Sequence, residues 1–279
     1  MTFGPIISPE SLIALTTPIR LLDARPGVAA YAEGHLEGAL HADLDLQLST
    51  ASAPGFDPSK GGRHPLPSPE RWAAQLGAWG IGRDTWVVAY DAAAGAIAAC
   101  RLWWMLRAFG HPNVAVLDGG LQGAKAAGLG STTASPAPVP ALPPYPCHGW
   151  QRPTVDIEAV ARRVQDPAWK VLDVRSRERW RGEIEPFEPT AGRISGTVNL
   201  PYSENLGPDG RYKPAAALRR MYLDLLGGTP PGNLAVHCGS GVSACHTLLA
   251  LELAGLDGAS LYVGSYSEWC RSGRRLGSG

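Results

Sequence analysis

The stretch Leu234-Ala-Val-His-Cys238-Gly-Ser-Gly-Val-Ser-Ala244 decides how this chain reads. A short apolar run ends at a cysteine, and a turn carrying Gly239 and Gly241 follows. Cys245 to Leu256 then has Leu248, Leu249, Leu251, Leu253 and Leu256 at helical spacing. The pattern is a strand, a glycine-rich loop and a helix N-terminus, with a thiol where the strand stops. Backbone N–H groups in such a loop lack intrahelical partners and point into its concavity. An anion placed there is stabilised by those donors and by the positive end of the helix dipole. A thiolate is favoured over a thiol for the same reason, so the pKa of Cys238 is predicted to fall.

Outward from that stretch the chain repeats itself. Val171-Leu-Asp173-Val-Arg175 echoes Leu21-Leu-Asp23-Ala-Arg25. Ala191 to Leu200 echoes Glu33 to Ala42, Leu234 to Cys238 echoes Val87 to Asp91, and Leu261 to Ser265 echoes Val116 to Gly120. The offsets of 150, 158, 147 and 145 residues differ only as loop insertions would make them differ. Each copy alternates apolar strands with helices, such as the one opened by Ser68-Pro69-Glu70 and the one spanning Ala96 to Phe109. That alternation predicts an α/β fold with two tandem domains, each a mostly parallel, doubly wound sheet flanked by helices. Between the copies, Ser131 to Gln151 holds six prolines, at 136, 138, 140, 143, 144 and 146. Proline donates to neither ladder nor helix, so the stretch reads as an extended linker. The expected domains are 1–130, the linker 131–151 and 152–279. Only the second copy carries the thiol; the first has Asp91 in its place, so it is expected to be catalytically inactive, serving structure or completing the cleft.

Composition narrows the function. With 279 residues, 44% hydrophobic and 18% charged, the chain holds two ordinary globular cores. Lys+Arg and Asp+Glu balance at 25 each, which gives no reason to expect nucleic acid or a membrane surface as partner. No apolar run is long enough to span a bilayer, and Met1 to Glu10 do not resemble a secretory signal. The five cysteines, at 100, 147, 238, 245 and 270, show no CxxC spacing, so neither a disulfide framework nor a zinc site is expected. No metal, nucleotide or flavin motif is present, so the chemistry is expected to need no cofactor. A reducing cytoplasm suits such a chain.

Taken in order, Asp23-Ala-Arg25, Gly34-His35, Arg101-Leu-Trp-Trp-Met-Leu-Arg107, Phe109-Gly-His111, Asp118-Gly-Gly120, Asp173-Val-Arg175, Cys238-Gly-Ser-Gly-Val-Ser243 and Ser267-Glu-Trp269 resemble the two-domain rhodanese family of sulfurtransferases. The resemblance covers nearly the whole chain. It implies that a small anionic donor passes its outer sulfur to Cys238. The resulting persulfide then passes it to a thiophilic acceptor: cyanide, a thiol or a thioredoxin-like protein. The loop looks like the mercaptopyruvate version, whereas the thiosulfate version carries basic residues there. By resemblance Gly239, Ser240, Gly241, Val242 and Ser243 form the persulfide cradle and Arg179 binds the donor. A second donor arginine of the mercaptopyruvate enzymes is missing from Glu185-Pro-Phe-Glu-Pro189, and Arg193 is the candidate replacement. Asp45 and His64 match family positions proposed to polarise Ser240, giving a Ser/His/Asp relay for proton movement.

Bland roles suit several other residues. Asp23, Arg25, Asp173 and Arg175 read as buried ion pairs at strand ends, Trp103 and Trp104 as core, and His237 and His246 as structural. Cys100, Cys245 and Cys270 read as inert, Cys147 as an idle linker residue, and Arg271-Ser-Gly-Arg-Arg275 as a solvated tail. Three other functions compete. A Cys-x5-Arg phosphatase needs an arginine where Ala244 stands, for bidentate capture of phosphoryl oxygens. A partner-binding module without catalysis would have lost Cys238. A persulfide carrier serving a protein acceptor stays compatible with every residue quoted.

Overall fold

In the computed structural model, residues 4–146 and 149–277 are described; Cys147 lies outside them. The chain forms two compact units. The first comprises the chain up to Ser52, Leu66–Arg152 and Asp209–Arg211; the second comprises Ala53–Pro65, Pro153–Pro208 and the chain from Tyr212 onward.

The first unit is built on five strands, β1 (Ile6–Ile7), β2 (Ile19–Asp23), β3 (Leu40–His41), β4 (Trp86–Tyr90) and β5 (Val114–Leu117). All pair in parallel, in the order β1-β5-β4-β2-β3. Parallel sheets are covered on both faces, which is why Val87 to Tyr90 and Val114 to Leu117 are uninterrupted apolar runs and buried. Each such Leu or Val side chain contributes roughly 1.5–3 kcal/mol on leaving water. Helix α1 (Pro69–Ala78) begins as its sequence demands: Ser68 Oγ accepts the Arg71 N–H at 3.2 Å and proline opens the first turn. Helix α2 (Ala99–Ala108) buries Trp103 and Trp104, which are core as expected. It starts three residues later than the apolar pattern suggests, because the Asp91 carboxylate takes the N–H groups of Ile97, Ala98 and Ala99.

The proline-rich stretch is laid on this unit. Leu142 donates to Gly77 O (2.9 Å), Tyr145 to Ala73 O (2.9 Å) and Gln151 to Ala108 O (2.7 Å). A side chain on Gly77 would stand 2.6 Å from Leu142 O, so glycine permits this close approach to α1.

The second unit repeats the plan with β6 (Thr154–Val155), β7 (Lys170–Asp173), β8 (Val198–Asn199), β9 (Leu234–His237) and β10 (Ser260–Tyr262), all parallel, in the order β6-β10-β9-β7-β8. Taking β6 for β1 and so on, the order is that of the first unit. Its helices include α3 (Arg177–Arg181), α4 (Ala215–Leu226), α5 (Ala244–Leu253) and α6 (Ser265–Trp269). Helix α5 is buried over its first eight residues. Two residues past its end, Gly255, with φ of +65°, lets Leu256 N–H reach back to Leu251 O. Among the described residues, no helix is long and apolar enough to cross a membrane.

Candidate active site

Strand β9 is central in its sheet, and the chain leaves its C-terminal end at Cys238, the end where open α/β sheets gather ligands. The cysteine is 2% exposed and lies between the strand and the loop that leads into α5. Its N–H donates to Ser265 Oγ at 3.2 Å, and its carbonyl accepts from Tyr266 N–H at 3.1 Å. Ser267 N–H holds the carbonyl of Gly239 at 2.8 Å. Helix α6 thus fixes the first two residues of the loop. Among the described residues, the N–H groups of Gly239, Ser240, Val242 and Ser243 meet no protein acceptor, and the N-terminus of the ten-residue α5 follows them. They are donors suited to an anion at this strand end.

The first unit has the same feature already filled. At the end of β4 the buried Asp91 carboxylate accepts from Ala93 (2.8 Å), Gly95 (2.9 Å), Ile97 (3.1 Å), Ala98 (3.0 Å) and Ala99 (3.1 Å). Leu121 N–H binds Asp91 O at 2.9 Å, as Tyr266 N–H binds Cys238 O. The residue before each of these donors has positive φ: Gly120 at +57° and Ser265 at +53°. A serine there costs about 1 kcal/mol more than a glycine. In the second unit it supplies the hydroxyl that receives Cys238 N–H.

Ser240 Oγ lies 2.8 Å from Nδ1 of His64. His64 belongs to Ala53–Pro65, which packs with the second unit although it is distant in sequence. The segment fits closely: a Cβ on Gly62 (φ +80°) would stand 2.3 Å from Gly264 O, and Gly61 N–H donates to Glu268 Oε1 at 3.0 Å. Asp45 sits in the first unit, in the turn after β3, where its N–H donates to Asp43 Oδ1 at 2.9 Å.

Arg179, on α3, reaches the loop: its guanidinium nitrogen would lie 3.2 Å from a Cβ on Gly239. It is held there by Glu185 through two bonds, of 3.2 Å from Nε and 2.7 Å from the terminal nitrogen. Such a fork fixes the plane of the guanidinium and leaves its other N–H groups for a ligand. Arg193, the candidate for the missing second donor arginine, lies beside the residue that follows Arg179. Its guanidinium stacks on Trp180 at 4.3 Å, and its stem packs against Gly277.

Glu185 and Glu188 are acids that the residue pattern did not single out. Glu185 also takes Arg175 at 3.0 Å. Glu188, its side chain fully buried, takes Arg63 Nε at 2.8 Å on one oxygen and Arg271 at 2.5 Å on the other. The basic tail is therefore not solvated at its start, and Arg274 pairs with Glu158. Asp173 and Arg175 form the expected buried pair at 2.7 Å, as Asp23 and Arg25 do at 2.6 Å. His237 and His246 are structural as expected. Burial lowers the pKa of both, so each is neutral near pH 7. His246 stacks on Tyr212 at 4.4 Å. Burial also pushes the Cys270 thiol up to about 11, which keeps it protonated and unreactive. Among the described residues, no group of acidic, histidine and cysteine side chains is arranged to hold a metal.

A family model described as a rhodanese-like domain matches the chain twice, over residues 8–127 and 156–272. The chain belongs to the rhodanese family. A relative in Pseudomonas aeruginosa, named a probable 3-mercaptopyruvate sulfurtransferase, is 41% identical over 96% of this chain and 93% of its own length. A thiosulfate sulfurtransferase of Cricetulus griseus is 33% identical over 90% and 84%. The solved structure of a Leishmania major 3-mercaptopyruvate sulfurtransferase superposes with a TM-score of 0.81 at 28% identity, covering 95% of this chain and 74% of that one. Both rhodanese domains are thus accounted for, and these relatives are sulfurtransferases.

Proposed function

We propose that this rhodanese moves a sulfur atom from a small anionic donor, 3-mercaptopyruvate or thiosulfate, through a persulfide on Cys238 to a thiophilic acceptor such as cyanide or a thiol. The observation that carries the proposal is the contrast between the two strand ends. One copy closes its loop on its own carboxylate, Asp91; the other presents a cysteine among backbone donors that have no protein partner. A loop that gathers five N–H groups around a carboxylate is built for negative charge, and a terminal persulfide carries one.

The electron count follows from that placement. The Cys238 thiolate attacks the outer sulfur of the donor, forming an S–S bond. With thiosulfate the old S–S bond breaks and its pair leaves on sulfite. With mercaptopyruvate the C–S bond breaks, its pair goes to the methylene carbon, and the donor's thiol proton ends on that carbon to give pyruvate. Cyanide then takes the outer sulfur as thiocyanate and returns the thiolate. Only the mercaptopyruvate branch moves a proton, and the Ser240–His64 pair is the group proposed to carry it. The cradle donors stabilise the persulfide in either branch. Arg179 is proposed to orient the donor anion. The N-terminal unit, closed by Asp91, is the inactive copy. Among the described residues, the four cysteines form no disulfide, which suits the reducing cytoplasm proposed as its compartment.

The test compares kcat/KM for the two donors with cyanide as acceptor. Cys238→Ala is expected to abolish both reactions, and persistent turnover contradicts the mechanism. Arg179→Ala is expected to raise KM for the preferred donor about tenfold or more, the loss of one charge-assisted bond. An unchanged KM removes Arg179 from the donor site.

A further inference from the structure

Glu188 holds two arginines that lead to opposite sides of the Ser240–His64 contact. One oxygen binds Arg63, the neighbour of His64, at 2.8 Å. The other binds Arg271 at 2.5 Å, which donates to Ser267 O at 2.8 Å; Ser267 N–H in turn holds Gly239 O, next to Ser240, at 2.8 Å. His64 and Ser240 are 176 residues apart, and Arg63 and Glu188 are 125 apart, so chain connectivity does not align them. A second tether, Gly61 N–H to Glu268, holds the same stretch two residues before Arg63. The Glu188 side chain is fully buried, whereas that of Arg63 is 28% exposed. Burying a carboxylate is expensive unless it is paired, and two guanidinium partners hold this one in a single geometry. The acid stands in the segment where the donor arginine of the mercaptopyruvate pattern is missing.

We propose that Glu188 is a positioning residue for sulfur transfer from mercaptopyruvate: through Arg63 on one arm and Arg271, Ser267 and Gly239 on the other, it sets His64 Nδ1 against Ser240 Oγ. The inference rests on the relay proposed above. A hydrogen-bonded proton relay needs its heavy atoms within about 2.6–3.2 Å, so slackening either arm weakens proton delivery more than it weakens attack by the thiolate. The clamp therefore governs donor selectivity, acting on the branch that moves a proton.

The experiment measures kcat/KM for mercaptopyruvate and for thiosulfate, with cyanide as acceptor, in wild type, Glu188→Gln, His64→Ala and the double variant. Arg63→Ala, which cuts the same arm from its exposed side, is measured alongside in case Glu188→Gln folds poorly. The expected result is an about tenfold fall in the mercaptopyruvate-to-thiosulfate ratio in Glu188→Gln and in Arg63→Ala. That fall disappears when His64 is already alanine, the non-additivity of residues acting as one unit. A merely structural role lowers both donors alike, or lowers the ratio equally in both backgrounds, and either outcome overturns the proposal. If His64→Ala itself leaves the ratio at the wild-type value, the relay falls, and the clamp with it. If His64→Ala lowers the ratio while Glu188→Gln and Arg63→Ala do not, only the clamp falls.

Discussion

Asp91 and Cys238 occupy the same station in two copies of one design, and a single side chain separates a loop closed on its own carboxylate from one that begins with a thiol. Asp91 satisfies five backbone donors with two oxygens. Asparagine keeps the shape, but its amide nitrogen cannot accept, so the donors that bind Oδ1 or those that bind Oδ2 lose their partner. Asp91→Asn is expected to destabilise the first unit by about 2–4 kcal/mol, seen as an earlier urea midpoint; an unaltered midpoint contradicts this account of the loop. At this scale the sequence was informative wherever chemistry is local. Cys238 announced itself because a strand end, two glycines and a helix start are adjacent in the chain. Ser240 and Arg179 were proposed from the family resemblance, and Arg179 lies against the loop at Gly239. Glu188 was not, because its meaning comes from Arg63 and Arg271, and nothing in its neighbours names those partners. Arg271 looked like part of a solvated tail for the same reason. Arg193 was proposed from its place in the family pattern, and its stacking on Trp180 is a contact no neighbouring residue in the chain announces.

The cradle loop is an element with two glycines of different importance. Gly241 has φ +75°, and a Cβ there would stand 2.3 Å from Val263 O, a backbone atom of the segment between β10 and α6. Gly239 has no positive φ, and the atoms a Cβ would meet are the far end of Arg179, which can move. Gly241→Ala is therefore expected to lower the melting temperature and transfer activity together, whereas Gly239→Ala is expected to melt near wild type. Equal melting temperatures for the two contradict this reading of the loop. Helix and strand centres were readable from apolar runs, and their ends much less so. α2 begins at Ala99 because a carboxylate eight residues upstream captures its leading N–H groups, an interaction with no periodicity to betray it. The proline-rich stretch was recognisable as irregular, but its seat along α1 depends on Gly77, inside a helix of ordinary pattern.

For the whole molecule, duplication was the strongest signal in the sequence, because near-constant offsets do not depend on any one motif. The two sheets share one strand order, and two rhodanese-like domains match. Less visible was that Ala53–Pro65 packs with the second unit; Arg63 and His64 face partners far along the chain. Each unit also buries a neutral histidine whose pKa is lowered by burial, to about 4 for His111 and about 3 for His246. Both lie below the unfolded value near 6.5. The unfolded chain thus takes up protons that the native state refuses, so stability is full above about pH 6.5 and falls as the pH drops toward 4. The slope reaches up to about 1.4 kcal/mol per pH unit for each histidine. Melting curves between pH 7.5 and about 4.5 check this, and a flat profile contradicts it. The central claim is that Cys238 carries the transferred sulfur, and intact-protein and peptide mass spectrometry after incubation with donor alone tests it most directly. A gain of one sulfur atom on the peptide containing Cys238, erased by cyanide with release of thiocyanate, is the expected result; turnover with no such adduct, or an adduct on another cysteine, contradicts it.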